Sequence, residues 1–147
     1  MTRELLQVGG DEVVLRVTSS ESDGAFVAGE VRMGPGGGPP GLHRHAAAEL
    51  YRVERGVLTM YVADEEGQVR RRAAGPGEVV AIPGGREHTI RNESCEDATA
   101  LVVFAPGAQM EAFIRAAAAL AAPGMAAAQA LAEQHGIEMT RELAAVA

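Results

Sequence analysis

The chain has 147 residues, 47% of them hydrophobic, and a formal net charge of −7. That fits one domain with ample material for a core, lacks the basic balance a nucleic-acid partner needs, and offers no run near the roughly 20 apolar residues of a membrane span. The only cysteine, Cys95, excludes an intrachain disulfide and a cysteine-built zinc site, and because all thirteen basic residues are arginine, Schiff-base chemistry on lysine is excluded too.

The arginine bias, with so many Ala and Gly, points to a GC-rich bacterial genome. Met1-Thr2-Arg3-Glu4 carries no leader pattern, so a cytoplasmic protein is the expectation. As a free cysteine, Cys95 is expected to be a small buried hydrophobe.

From the N-terminus to Pro106-Gly107, short apolar or alternating runs are punctuated by turn residues, the pattern of an all-β barrel or sandwich. Strands are predicted at Val13–Val17, Phe26–Met33, Glu49–Glu54, Val57–Val62, Val69–Ala73, Val79–Ile82, Glu87–Asn92 and Ala98–Ala105. Ser22-Asp23-Gly24, Glu65-Glu66-Gly67, Gly75-Pro76-Gly77 and Pro83-Gly84-Gly85 supply turns between them. Beyond the break the period changes. Met110, Phe113, Ile114, Ala117 and Leu120 form one apolar stripe at helical spacing. Pro123-Gly124 ends that helix, and a second runs from Met125 to His135 with Gly136 as its stop. The division is therefore residues 1–107, a β-barrel, and residues 108–147, helices that pack on the barrel or on a partner subunit.

Chemistry concentrates between Gly37 and Gly56. His43 and His45 are two apart, so on a strand both imidazoles leave the same face, and Glu49 and Tyr51 share that parity if no bulge intervenes. His88, on another predicted strand, can close a site from a neighbouring wall. On spacing alone, these residues make either a metal site or a solvated polar cluster.

Two longer patterns bear on that choice. Gly37, five residues, His43-Arg44-His45, three residues, Glu49, six residues and Gly56 form the first. Gly77, five residues, Pro83-Gly84-Gly85, two residues, His88, three residues and Asn92 form the second, after twenty intervening residues. Together they resemble the two motifs of the cupin superfamily at every fixed position. The resemblance implies a jelly-roll barrel, with His43, His45, Glu49 and His88 holding one divalent metal ion. Three imidazoles and a carboxylate suit Fe, Mn, Ni, Co, Cu or Zn. It also implies that Asn92 steadies the end of its strand.

Within the cupins, the approach to His43, the Glu49–Gly56 strand and the tail are similar to bacterial quercetin-dioxygenase-like single-domain proteins. In the tail, the matching features are Gln109-Met110-Glu111-Ala112-Phe113 and the later His135-Gly136-Ile137-Glu138. That resemblance implies a metal-dependent oxygenase acting on a small aromatic or keto-enol substrate. A non-redox cyclase or isomerase, and a ligand-binding or sensor cupin without turnover, are the alternatives. Glu49 is the candidate general base, and Tyr51 the candidate hydrogen-bond partner of substrate. Phe26, Met33, Met60 and Phe104 are candidates for an apolar pocket, and Arg70-Arg71-Arg72 reads as a solvated strand edge. The partners expected are a small-molecule substrate and a second copy in a homodimer, through barrel strands and the Met110–Leu120 stripe, with no nucleic acid and no membrane.

Overall fold

The computed structural model describes residues 4–39, 41–120 and 124–145. Among the described residues, eleven strands form two antiparallel sheets, and two α-helices lie between the last two strands in chain order. The six-stranded sheet has the order β1 (Glu4–Val8), β2 (Asp11–Val17), β3 (Val27–Met33), β10 (Ala98–Ala105), β5 (Ala48–Arg55), β8 (Val79–Ile82). The five-stranded sheet has the order β11 (Glu138–Glu142), β4 (Gly41–Arg44), β9 (His88–Arg91), β6 (Leu58–Ala63), β7 (Val69–Ala74). Helix α1 covers Ala108–Ala119 and α2 covers Met125–Gln134. This is an all-β jelly roll with a C-terminal helical tail, the architecture expected from the two motifs.

Strict alternation builds the layers. In β10, Ala98, Ala100, Val102 and Phe104 are buried, while Thr99, Leu101 and Val103 face outward. In β5, Glu49, Tyr51 and Val53 point inward, and Leu50, Arg52 and Glu54 point out. Side chains that alternate across a pleated strand divide in this way between core and solvent. The outward setting of Arg52 keeps its guanidinium away from the interior. Arg70, Arg71 and Arg72 stand exposed on β7, the sheet's outer strand, and pair with Asp64, Glu93 and Glu78.

The eight predicted strands are all present, with ends within two residues of the expected ones. Three further strands carry no sequence signal of the expected kind. β1 is half exposed, β4 is four residues long behind a Gly/Pro-rich stretch, and β11, Glu138-Met-Thr-Arg-Glu, reads as a charged tail. Helix α1 turns Met110 and Ile114 into the core, and α2 stops where Gly136 takes φ +76°. Leu120 is already extended, so α1 ends there, and the Pro123 stop lies outside the described residues. Cys95 is exposed, not buried as expected, in the turn after β9. Asn92 is wholly buried. Its amide donates to the carbonyls of Met33 and Glu96 at 2.9 and 2.7 Å, tying β9 to β3.

Candidate metal centre

The ligand residues do not come from one strand. β4 ends at Arg44, and the chain turns through His45–Ala47 to enter the opposite sheet as β5. The shared parity of His43, His45, Glu49 and Tyr51 is therefore not the reason they converge. A corner between sheets brings them together. His43 lies on β4 directly across from His88 on β9, and Glu49 on β5 lies across from Phe104 and Ile82. Gly84 lets the turn before β9 press against this corner, and the Gly85 N–H donates to the His45 carbonyl at 2.7 Å.

His43, His45, Glu49 and His88 are all buried, and one ligand atom from each lies within 4.8 Å of the others. The imidazole centroids are 4.5 Å apart for His43 and His88, 5.1 Å for His45 and His88, and 5.8 Å for His43 and His45. Donor atoms about 2.0–2.2 Å from one ion sit at most about 4.4 Å apart, so small shifts close this cluster around a metal.

The hydrogen bonds supply an independent test of fit. Each Nδ1 meets a backbone carbonyl: His43 with Gly41 at 3.2 Å, His45 with Ala47 at 2.9 Å and His88 with Arg86 at 2.7 Å. A carbonyl oxygen only accepts, so Nδ1 carries the proton and each neutral ring turns its Nε2 lone pair inward. Two of those Nε2 atoms face Glu49 Oε1, at 2.7 Å from His45 and 3.0 Å from His88. Acceptor faces acceptor unless a proton or a cation stands between them. Glu49 Oε2 is buried and has no hydrogen-bond partner among the described residues. A divalent cation satisfies all of these atoms at once, and the four residues form a metal-binding site.

The titration behaviour has the same origin. Burial opposes the charge on Glu49, but with protons standing in for the cation between its oxygen and the His45 and His88 Nε2 atoms, those hydrogen bonds override it and hold the carboxyl well below the usual range. Burial, with the charge of His88, pushes His43 down to about 4. His88 loses by burial and gains more from Glu49, so it is raised. The Tyr51 phenol lies beside this carboxylate. Burial first, then the Glu49 charge, raise it far above its ordinary value, so it keeps its proton.

His43, Glu49 and Tyr51 also line a cavity of about 180 Å³ that runs between the sheets under the tail helices. Its remaining wall is almost wholly apolar. Met33 and Phe104 line it as expected, whereas Met60 is packed in the core and Phe26 is partly exposed. Met110, Ile114, Ile137 and Met139 from the tail and Asp11 from β2 complete it, and nothing in the sequence pattern marked them as pocket residues. For Met110 and Ile114 the helical stripe was a usable signal, but it did not say what they cover. His135 takes no part in the metal cluster. Its Nδ1 meets the Leu131 carbonyl at 2.9 Å, and its ring lies against Phe113.

A two-sheet β fold with a buried three-histidine, one-glutamate centre opening into an apolar cavity defines a metal-binding jelly-roll protein. Residues 29–104 match the Cupin domain family, and the chain belongs to it. Among solved structures it is similar to a tryptophan-to-tyrosine variant of Bacillus subtilis oxalate decarboxylase, with 26% identity and a TM-score of 0.62, over 71% of this chain and 28% of that one. It is also similar to an oxalate oxidase, with 25% identity and a TM-score of 0.56, over 67% of this chain and 52% of that one. A further B. subtilis oxalate decarboxylase structure, described for its Mn(II) centres, shares the fold at 24% identity and a TM-score of 0.61, over 72% of this chain and 28% of that one. The chain thus spans between about a quarter and a half of these proteins' length. No curated protein matches it. Among the described residues, no helix is long and apolar enough to cross a membrane.

Proposed function

We propose that this cupin is a dioxygenase-like, metal-dependent enzyme of the quercetin-dioxygenase-like bacterial single-domain type, acting on a small aromatic or keto-enol molecule. The observation that carries the reading is the opening of the buried metal centre, through His43 and Glu49, into a cavity with an apolar wall. When bound, the metal supplies Lewis acidity and, if redox-active, a place for substrate oxygen and O₂ to meet. His43, His45 and His88 would hold it through Nε2, with their Nδ1–H groups anchored on backbone carbonyls. Glu49, part of the cavity wall, is the group that takes a proton from an enolic or phenolic hydroxyl. The Tyr51 phenol, kept protonated, donates to the substrate oxygen beside it. The apolar wall lowers the polarity around the reacting atoms.

The test is oxygen uptake by protein loaded separately with Fe, Mn, Co, Ni, Cu and Zn, against diketones and phenols. Turnover with a redox metal and matching oxygen consumption supports the reading. Activity in the zinc form alone, without oxygen uptake, replaces it with a cyclase or isomerase, for which the Glu49–Tyr51 pair in an apolar pocket is the favouring observation. A small molecule recovered unchanged from the native cavity, with no turnover, favours a binding or sensor protein.

The remaining expectations stand as proposals of the same kind. Residues 108–147 act as the cover of the barrel body, residues 1–107: α1 packs on β1 and β3, and β11 pairs with β4. We assign a cytoplasmic location in a bacterium. A homodimer is expected through barrel strands, on the outer face of the six-stranded sheet, where Leu50 and Val79 are exposed. Met110 and Ile114 are used inside the chain, which withdraws much of the helical stripe from that contact. A monomeric mass by light scattering overturns the dimer.

A further inference from the structure

The tail strand β11 supplies no metal ligand, yet it grips the backbone around two of them. The first is His43, carried by β4. Among the described residues, β4 pairs with β9 at His43 and His88 alone. With β11 it pairs at four positions: Arg44 with Glu138, His43 with Met139, Leu42 with Arg141 and Gly41 with Glu142. The Gly41 carbonyl is the group that orients the His43 ring, at 3.2 Å from Nδ1. Most of the ladder that fixes this carbonyl therefore comes from β11.

The second is His88, whose neighbour Glu87 is held by its side chain. Arg141 donates to that carboxylate twice, from Nε to Oε2 at 2.9 Å and from Nη2 to Oε1, and Thr140 Oγ1 donates to Oε2. Adjacent strand residues ordinarily face opposite ways. Here the register shifts between Met139 and Arg141, with Thr140 the extra residue, and such a bulge re-aims side chains. Thr140 and Arg141 can then both reach Glu87. The Glu87 side chain is 11% exposed, so this forked pair is largely withdrawn from water. Arg44–Glu138, at 47% and 64%, is a surface pair worth little. The Arg86 carbonyl, in the peptide that leads into Glu87, orients the His88 ring at 2.7 Å from Nδ1. From the β6 side the Ala63 N–H holds the Glu87 carbonyl at 2.8 Å, and β11 holds the carboxylate. His45 differs, because its ring is oriented by the Ala47 carbonyl in the corner, and β11 pairs with neither residue.

We infer that Arg141 is a positioning residue of the metal centre: its grip on Glu87 seats β11, and through that strand the two backbone carbonyls that aim His43 and His88. The tail is then part of the metal site's framework as well as a cover. This rests on the four-residue metal site and not on the chemistry proposed for it.

The experiment uses the full chain, loaded with Zn(II) for affinity and with Co(II) for proton NMR. In the Co(II) form the exchangeable Nδ1–H of each metal-bound imidazole gives its own paramagnetically shifted signal. Arg141→Met removes the fork and keeps the length of the side chain. Zinc affinity by chelator competition should fall about tenfold, the lower end of what losing a group that orients metal ligands costs. Two of the three Nδ1–H signals should move and one, that of His45, should stay. Arg141→Lys, which restores the charge without the fork, should recover part of the affinity. Thr140→Val should move the same two signals by less, and it carries the test if Arg141→Met does not fold. Arg16→Met removes a similar forked pair with Glu30 in the other sheet, and both readouts should stay at their wild-type values. Unchanged affinity and signals in Arg141→Met, whatever its melting temperature, overturn the inference and leave β11 a cover. An equal loss in Arg16→Met, or movement of all three signals together, assigns the effect to general loosening and overturns it as well. A wild type that binds no zinc refutes the metal site itself, and the role of Arg141 with it.

Discussion

Gly84→Ala tests whether the corner between the sheets is what holds the metal ligands in place. A Cβ at Gly84 would overlap the Ala46 carbonyl oxygen and stand 3.2 Å from the Ala46 carbonyl carbon and 3.4 Å from the Ala48 nitrogen. Those are backbone atoms on a segment clamped at both ends by paired strands, so no flexible side chain can yield. The turn and the corner must separate, and they carry His88 and His45 respectively. Overpacking of this kind costs about 1–3 kcal/mol. At about 2–4 °C per kcal/mol for a chain of this size, the melting temperature should fall by about 2–12 °C. Zinc affinity should fall by about 10- to 100-fold, the effect of disturbing groups that orient metal ligands. Gly10→Ala is the control, since nothing lies within 4 Å of its added Cβ and its φ is ordinary. Differential scanning fluorimetry of the metal-free protein and competition titration with a chelating dye read the two effects. Wild-type melting and wild-type affinity in Gly84→Ala would refute the reasoning.

Tyr51→Phe should preserve zinc affinity and lower turnover of any identified substrate, which steady-state rates at fixed metal loading will show. Phe104→Ala removes a ring that is 8% exposed and stands edge-on to His45 at 6.3 Å; it should cost about 3–5 kcal/mol in chemical denaturation. Metal affinity should fall as pH falls, because protons compete for the imidazoles, by at least about tenfold per pH unit below the raised pKa of His88. His43, pushed down to about 4, should add to that slope only near its own pKa, and chelator competition from pH 7 to pH 5 measures it. His135→Ala should leave metal affinity untouched, since that ring lies against Phe113 in the tail.

Much of the barrel was legible because half-buried antiparallel strands imprint a period of two, as in Ala98–Ala105, and because glycine and proline mark the turns. The strands that escaped lack that imprint. β4 is too short for a period to register, β1 exposes Leu5, and β11 buries little of its charged sequence. The four ligands were legible through the two motifs, not through strand parity, which fails at the His45–Ala47 corner because the chain changes sheets there. The cavity was only half legible. Met33 and Phe104 lie on strands whose inward face can be read, but Asp11 looks like an ordinary turn acid. Only tertiary packing against Gly38 reveals an acceptor without a donor.

The central claim is that His43, His45, Glu49 and His88 bind one metal ion through Nε2 and carboxylate oxygen. It is tested most directly by anomalous diffraction at the absorption edge of the reconstituted metal, on wild-type crystals and on crystals of His45→Ala. The expected result is one peak per chain in the wild type, bounded by these four side chains, and its loss in the variant. A peak elsewhere, or one that survives in His45→Ala at full occupancy, would contradict it.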